Sequence, residues 1–293
     1  MRAISTIGFL IITVKKVIPI HNFIDEDTKG LPVRHVPLNV RNDYDIATPH
    51  RHNYYEVFFF TKGGGHHFID FVQHPVADNS VHIVYPQQIH VLNREPSSYG
   101  AVVHFSRDLF GINMENAIDA LLNNNGFLHI ANTAQQQADL NNVLEQLKAE
   151  YNSDDASGEI LKSYLTILLL KCVKLFDLQH PGWQENASGT YNSFRALVEE
   201  GYKEQKQPSH YAEKLKVTER KLNEICKTAT GITVGDYINN RVVLEAKRLL
   251  CNSPLTVKEI AFYLGFNDPS YFNRFFKRNT EVTALEFRQG TSS

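Results

Sequence analysis

Cysteine is scarce in this chain. Cys172, Cys226 and Cys251 are the three it has, and their spacing matches neither a disulfide framework nor a Cys-pair zinc motif. That pattern points to a reducing cytosol. The sequence contains no phosphate-cradling P-loop and no Gly-x-Ser-x-Gly nucleophile elbow, so the signatures of nucleotide hydrolysis and serine acyl transfer are missing. Gly63-Gly64-Gly65 precedes no helix start and reads as a hairpin turn. Long apolar runs are missing as well. Lys162, Lys171 and Lys174 break the most apolar stretch, which is too short to span a bilayer. Met1–Val14 has Arg2 and the apolar run Ile7–Val14, but Lys15 and Lys16 follow without a small-residue cleavage site. A strand is expected there rather than a signal peptide.

The net charge of −2 is slight but unevenly divided. Residues 191–293 hold 16 Lys and Arg against 12 Asp and Glu, a net of +4, while the rest hold 14 against 20, a net of −6. A basic part joined to an acidic part suits a DNA-binding domain attached to a domain with another task. Composition shifts too: twelve of the 13 histidines lie in the first 180 residues. Alternating runs at Tyr54–Phe60, His66–Phe71, Ser80–Val84 and Gly100–Phe105 read as strands. Gly63–Gly65, Asp78–Ser80 and Glu95–Ser98 punctuate them, which suggests a small β-barrel or sandwich. Helical patterns follow over Thr133–Tyr151 and Ser157–Leu178. The second is apolar nearly all round and so should be covered on more than one side, by the barrel and by a second subunit. Leu178–Thr190, rich in Pro, Gly and polar residues, fits a linker. The expected division is 1–180, a linker at 181–190, and 191–293.

The closing stretch carries one residue pattern twice. Ala212, Leu215, Val217, Leu222, Cys226, Lys227, Gly231, Thr233 and Tyr237 are matched by Ala261, Leu264, Phe266, Phe272, Phe276, Lys277, Glu281, Thr283 and Phe287, with one residue inserted after Phe266. A short helix, a tight turn and a second helix explain such a pattern: Ala lets two helices cross closely, and the apolar residues fill the wedge between them. That is the layout of a helix-turn-helix, whose second helix lies in the DNA major groove. Between the copies, Thr233–Asn252 has helical periodicity, a Thr233/Asp236 start and an Asn252-Ser253-Pro254 stop. It spans about 27 Å, so the two recognition helices could sit about 34 Å apart, one turn of B-DNA. Thr256 and Glu259 form a capping box ahead of Ile260.

Thr256–Arg288 resembles the signature region of the AraC family of bacterial transcription regulators, and the similarity extends from Tyr191 to the end. Two positions depart from the family: Glu281 stands where Gly is usual and Ala284 where Pro is usual. The resemblance implies that Arg220, Asn223 and Glu224 in one recognition helix, and Ser270, Asn273 and Arg274 in the other, read base edges. Arg suits guanine, Asn adenine and Glu cytosine. The family often has Arg where Glu224 stands. Lys227, Lys277 and Ser270 would meet phosphate, and Lys221 faces the same way. The plainer alternative is that these charges solvate exposed helix faces.

In the barrel region, His50, His52 and Glu56 followed by Gly63 resemble the first cupin motif, and Pro86–His90 resembles a shortened second one, with Gln88 in place of Gly. His50, His52, Tyr54, Glu56 and Phe58 would share one face of a strand, and His90 would join them. Three imidazoles and a carboxylate are ligand types for a divalent metal. AraC-type sensor domains, however, often keep such residues for an organic effector. The preferred assignment is therefore a polar effector site of His50, His52, Tyr54, Glu56 and His90, ahead of structural histidines and of a metal. No metal or cofactor is assigned. His66, His67, His74 and His82 read as surface or satisfied core histidines.

These readings converge on an α+β, multidomain chain: an N-terminal cupin-like β-barrel with helices, then an all-α double helix-turn-helix. The expected function is a cytoplasmic, non-enzymatic, homodimeric transcription regulator. It would bind promoter DNA, contact RNA polymerase, and respond to a small polar effector such as a sugar. The family resemblance implies activation more often than repression. Two alternatives stay open: a metal-dependent cupin enzyme fused to a DNA-binding domain, and a purely structural barrel.

Overall fold

The computed structural model describes residues 19–23, 30–38, 48–110, 118, 121–122, 133–179 and 189–290. The expected N-terminal strand and most of the linker lie outside these residues. The strands are β1 (Ile20–His21), β2 (Val33–Pro37), β3 (Arg51–His52), β4 (Tyr55–Lys62), β5 (Gly65–Ile69), β6 (Val72–Pro75), β7 (Ser80–Val84), β8 (His90–Arg94) and β9 (Tyr99–Phe105). They form an antiparallel sheet β2-β9-β4-β7, a second sheet β6-β5-β8, and a parallel pair β1-β3. His50 bridges to His90 and so ties the segment before β3 to the second sheet.

Strand β4 shows why an almost unbroken apolar run can still obey period-two logic. Tyr55, Val57 and Phe59 face outward into a core shared with the following helices, while Phe58 and Phe60 face the other way, into a core with Leu92 and Val102. Both faces are covered, so alternation of polarity is not required. The helices α1 (Ala134–Tyr151) and α2 (Gly158–Gln179) supply the outer cover. Thr133 and Gln136 form a reciprocal capping box that starts α1. Leu161, Leu165, Leu168, Leu169 and Cys172 of α2 are buried, whereas Ile160, Ile167 and Leu178 are exposed on its other side. Among the described residues this helix is therefore covered on one side.

Two local expectations are corrected. Gly63–Gly65 is a corner rather than a hairpin turn, because β4 pairs with β7 and β9 whereas β5 pairs with β6 and β8. The chain changes sheet there, close against backbone: a Cβ on Gly63 would lie 2.4 Å from the Val76 carbonyl oxygen. The hairpin lies instead between β5 and β6, where Asp70 and Phe71 adopt φ of 47° and 71°. The expected strand His66–Phe71 thus ends at Ile69. A turn with two positive φ values and no glycine carries little sequence signal.

The C-terminal helices are α3 (Thr190–Gly201), α4 (Pro208–Lys214), α5 (Glu219–Thr230), α6 (Val234–Asn252), α7 (Val257–Tyr263), α8 (Pro269–Thr280) and α9 (Ala284–Gly290). One apolar core gathers Phe194, Leu222, Cys226, Ile238, Val242, Ala246, Ile260, Phe272 and Phe276. Burial of a side chain the size of Phe272 contributes roughly 1.5–3 kcal/mol. The duplicated pattern is visible in the backbone. Val217 N–H donates to the Ala212 carbonyl at 3.0 Å, and Phe266 N–H to that of Ala261 at 2.9 Å. Each interhelical turn has one left-handed residue, Lys216 (φ 55°) and Gly265 (φ 74°).

The two halves meet at the β5–β6 turn. Asp70 accepts from Arg248 of α6 at 3.0 and 2.6 Å, and Phe71 packs edge-on against Phe287 of α9. Asp70 also accepts from Gln88 Nε2 at 2.6 Å, next to His90.

Candidate functional site

The recognition helices α5 and α8 begin at Thr218 and Asp268, whose side chains accept from Lys221 N and Ser270 N. Both end on a left-handed residue, Gly231 at φ 77° and Glu281 at φ 68°. Glu281 therefore keeps the conformation that glycine favours, despite its Cβ. Leu222 and Cys226 in α5, and Phe272, Phe275 and Phe276 in α8, point into the core. That leaves Arg220, Lys221, Glu224 and Lys227 exposed on one helix, and Ser270, Arg274 and Lys277 exposed on the other.

The two asparagines behave differently from the other candidate readers. Asn223 Oδ1 accepts from Val234 N at 3.0 Å, and its Nδ2 donates to the Glu219 carbonyl at 3.2 Å. Its amide thus ties α5 to the start of α6. Asn273 Nδ2 donates to the Pro269 carbonyl at 3.2 Å. The Arg220 side chain is 91% exposed, with its Nε 3.3 Å from Glu224 Oε1.

The second site lies between the sheets. Strand β4 places Glu56 inward, and His52, His90 and His104 surround it from β3, β8 and β9. Glu56 Oε2 is 3.2 Å from His52 Nε2 and 3.3 Å from His90 Nε2, and Oε1 is 3.2 Å from His104 Nε2. His52 and His90 approach each other to 3.1 Å through Nε2. His67 Nε2 meets His90 Nδ1 at 3.0 Å, and His67 Nδ1 meets His82 Nδ1 at 3.2 Å. Tyr54 stacks on His52, and the His50 ring centroid lies 4.1 Å from that of His90. The structure thus brings together His50, His52, Tyr54, Glu56 and His90, and adds His67, His82 and His104. These three come from separate strands, and no local spacing joins them to the motif.

The electrostatics follow from burial. Burial alone would push the Glu56 carboxyl up, but His52, His104 and His90 outweigh it and hold it well below the usual carboxylate range. Burial pushes His90 well down and His67 down to about 3. An ionised Glu56 carboxylate is thus enclosed by imidazoles in a buried interior, where burial disfavours the charged forms of His67 and His90. Among the described residues, His52, Glu56 and His90 are the group whose donor atoms converge as metal ligands would, all within 4.8 Å of one another. No helix among the described residues is long and apolar enough to cross a membrane.

Residues 211–290 match the helix-turn-helix domain family. Over nearly its whole length the chain is similar to the HTH-type transcriptional activator RhaR of Cronobacter sakazakii, with 23% identity covering 90% of this chain and 94% of that protein. It is also similar to the HTH-type transcriptional activator RhaS of Escherichia coli O139:H28, with 25% identity covering 82% and 87%. Among solved structures, ToxT from Vibrio cholerae O395 aligns over 82% of this chain and 90% of its own, with 16% identity and a TM-score of 0.43.

Proposed function

We propose that this chain is a member of the AraC family of transcription regulators, a sequence-specific DNA-binding activator whose β domain senses a small polar molecule. The observation that carries the DNA half is the pair of recognition helices built alike, each with an apolar face locked in one core and an exposed face bearing Arg220 or Arg274. Docked in successive major grooves, Arg220, Glu224, Ser270 and Arg274 meet base edges, while Lys221, Lys227 and Lys277 meet phosphate. Asn223 contributes by tying α5 to the start of α6.

The β domain acts as the sensing half. Its ligand class is polar, a sugar being the leading candidate, because His50, His52, Tyr54, Glu56 and His90 gather hydrogen-bonding groups in the interior of the domain. The domains divide near 1–180 and 191–293. The exposed Ile160, Ile167 and Leu178 of α2 offer an apolar face for a second copy. Such a protein works in the cytoplasm, alongside RNA polymerase, and catalyses no reaction.

Crosslinking followed by sequencing of bound DNA tests the reading, with Arg220→Ala/Arg274→Ala as the control. Discrete peaks upstream of a few operons, lost in the variant, are expected. Binding affinity should fall by roughly 1–3 kcal/mol per lost base contact, with Tm unchanged. An absence of peaks across growth conditions sinks the proposal.

A further inference from the structure

The two helix-turn-helix units share one pattern but differ at the turn. In the first, Lys216 takes the left-handed conformation at φ 55° with its side chain in place, so that conformation alone does not demand glycine. In the second, Gly265 sits at φ 74°, and a Cβ there would overlap the Lys203 carbonyl oxygen. The second turn therefore needs glycine because another segment presses on it. That segment, residues 202–207, joins α3 to α4 and leads into the first unit.

Both ends of this contact are fixed. On the first unit, Gln205 N–H donates to the Gly201 carbonyl at 2.8 Å, and the hydroxyl of the buried Tyr211 in α4 donates to the Gln205 carbonyl at 2.7 Å. The guanidinium of Arg241 from α6 lies 4.1 Å from the centre of the Tyr202 ring. On the second unit, Lys203 Nζ donates to Tyr263 Oη at 2.8 Å. Lys206 Nζ donates to the Lys203 carbonyl and stands 4.7 Å from the centre of the Phe266 ring. Phe266 packs in turn on Phe272 and Phe275 of α8, at centroid distances of 5.3 and 5.2 Å. One loop and one ring thus connect the first unit to the second recognition helix.

The position of this contact gives it leverage. Apolar burial along α6 also joins the units, but such burial is non-directional and tolerates sliding. The loop acts instead at the turn before α8, and the N-terminal residues of a recognition helix are those that reach base edges. A displacement of that turn moves Ser270 and Arg274 with it.

We propose that the 202–207 loop, through Lys203 and Lys206, is a clasp that fixes the distance and phase between α5 and α8 and so sets the half-site spacing this protein accepts. Lys203 and Lys206 act as positioning residues, through the turn of the second unit. One base pair more or less between half-sites moves the second by about 3.4 Å and turns it by roughly 35° around the duplex, a change that a clasped pair does not follow. The inference rests on the DNA-binding half of the proposed function, and names what decides its spacing.

Full-length parent and Lys203→Met/Lys206→Met are each used to select duplexes from a random library long enough for two half-sites, and the bound pools are sequenced. The parent should return paired half-sites at a single spacing, with affinity lowered at least about tenfold by one inserted base pair. The variant should return the same half-sites at several spacings, its insertion penalty reduced by about threefold or more. Tyr263→Phe removes only the hydroxyl that Lys203 meets and should broaden the spacing in the same direction, with Tm unchanged. If the double variant does not fold, Tyr263→Phe alone decides. A parent pool with mixed spacings, or variant pools with the parent's single spacing, overturns the clasp and leaves DNA reading standing. Equal loss of affinity at every spacing, with a shallower salt dependence, also overturns it and makes the two lysines phosphate contacts. A parent pool with no enriched motif refutes DNA reading itself, and the clasp with it.

Discussion

Among the described residues of the C-terminal domain the buried side chains are apolar apart from Arg195 and Arg248, and the charged groups of α5 and α8 look outward. The β domain reverses this arrangement, with a carboxylate and the imidazoles of His50, His52, His67, His82, His90 and His104 buried inside. The same burial of apolar surface stabilises both domains. Under the proposed function, the contrast follows from what each domain would recognise. A ligand as large as a duplex must be met on a surface, where Arg and Lys stay hydrated until contact. A small polar ligand can be enclosed, and enclosure strengthens every charge around it. The cost is a polar interior that holds together only while all its groups are paired.

Four perturbations break or sharpen this contrast, the largest first. Phe272→Ala removes a fully buried ring from the dry core and should cost about 3–5 kcal/mol, abolishing DNA binding by unfolding the C-terminal domain. Chemical denaturation followed by a probe in each domain checks it, and loss of the β-domain signal first would contradict it.

Acid should act on the other half. Burial holds His67 down to about 3 and His35 down to about 4, the latter with help from Lys148. Unfolding lets both take up protons near pH 6.5, so their neutral buried state is favourable above that pH, and stability falls as pH drops toward 4. The ionised Glu56 adds a loss in the same direction at lower pH. His35 alone accounts for up to roughly 3 kcal/mol across this window. Tm of the β domain against pH should therefore fall below about pH 6.5 before that of the C-terminal domain. A flat profile between pH 7 and 5 would refute this.

At the contact between the halves, Asp70→Ala leaves the buried Arg248 without its bidentate partner and should cost roughly 1–3 kcal/mol. Limited proteolysis is expected to release separate domains faster than from the parent. Identical digestion would show that the turn contributes nothing to docking. Smallest is Glu281→Gly, which relieves a left-handed residue and should stabilise the C-terminal domain by roughly 0.5–1 kcal/mol. A lower Tm would mean that the Glu281 side chain has a stabilising role.

Much of the C-terminal domain was legible because its information is local. Helix starts at Thr233 and Thr256, and the inward phase of Leu222, Phe272 and Phe276, follow from spacing along one chain segment. Arg220 and Arg274 could be placed outward by elimination. Asn223 could not be placed as an interhelical tie, because its partner Val234 is on the next helix, and the family resemblance implied base reading for it. In the β domain, Glu56 and His52 stood out through their shared spacing and the parity of β4. His67, His82 and His104 did not, since each is unremarkable within its own strand and joins the cluster only through sheet pairing. The Gly63–Gly65 corner was misread for a related reason: glycine signals a turn without saying which strand comes next to which.

The sequence by itself determined the double helix-turn-helix, the two-part charge division, and a histidine–glutamate motif on an inward-facing strand, because helical and strand periods act between neighbours in the chain. Only the tertiary structure decided which imidazoles meet Glu56, and that Asp70 grips Arg248, 178 residues away. Those contacts depend on the order in which strands pair and on how a turn docks, and neither is encoded in any short window of residues.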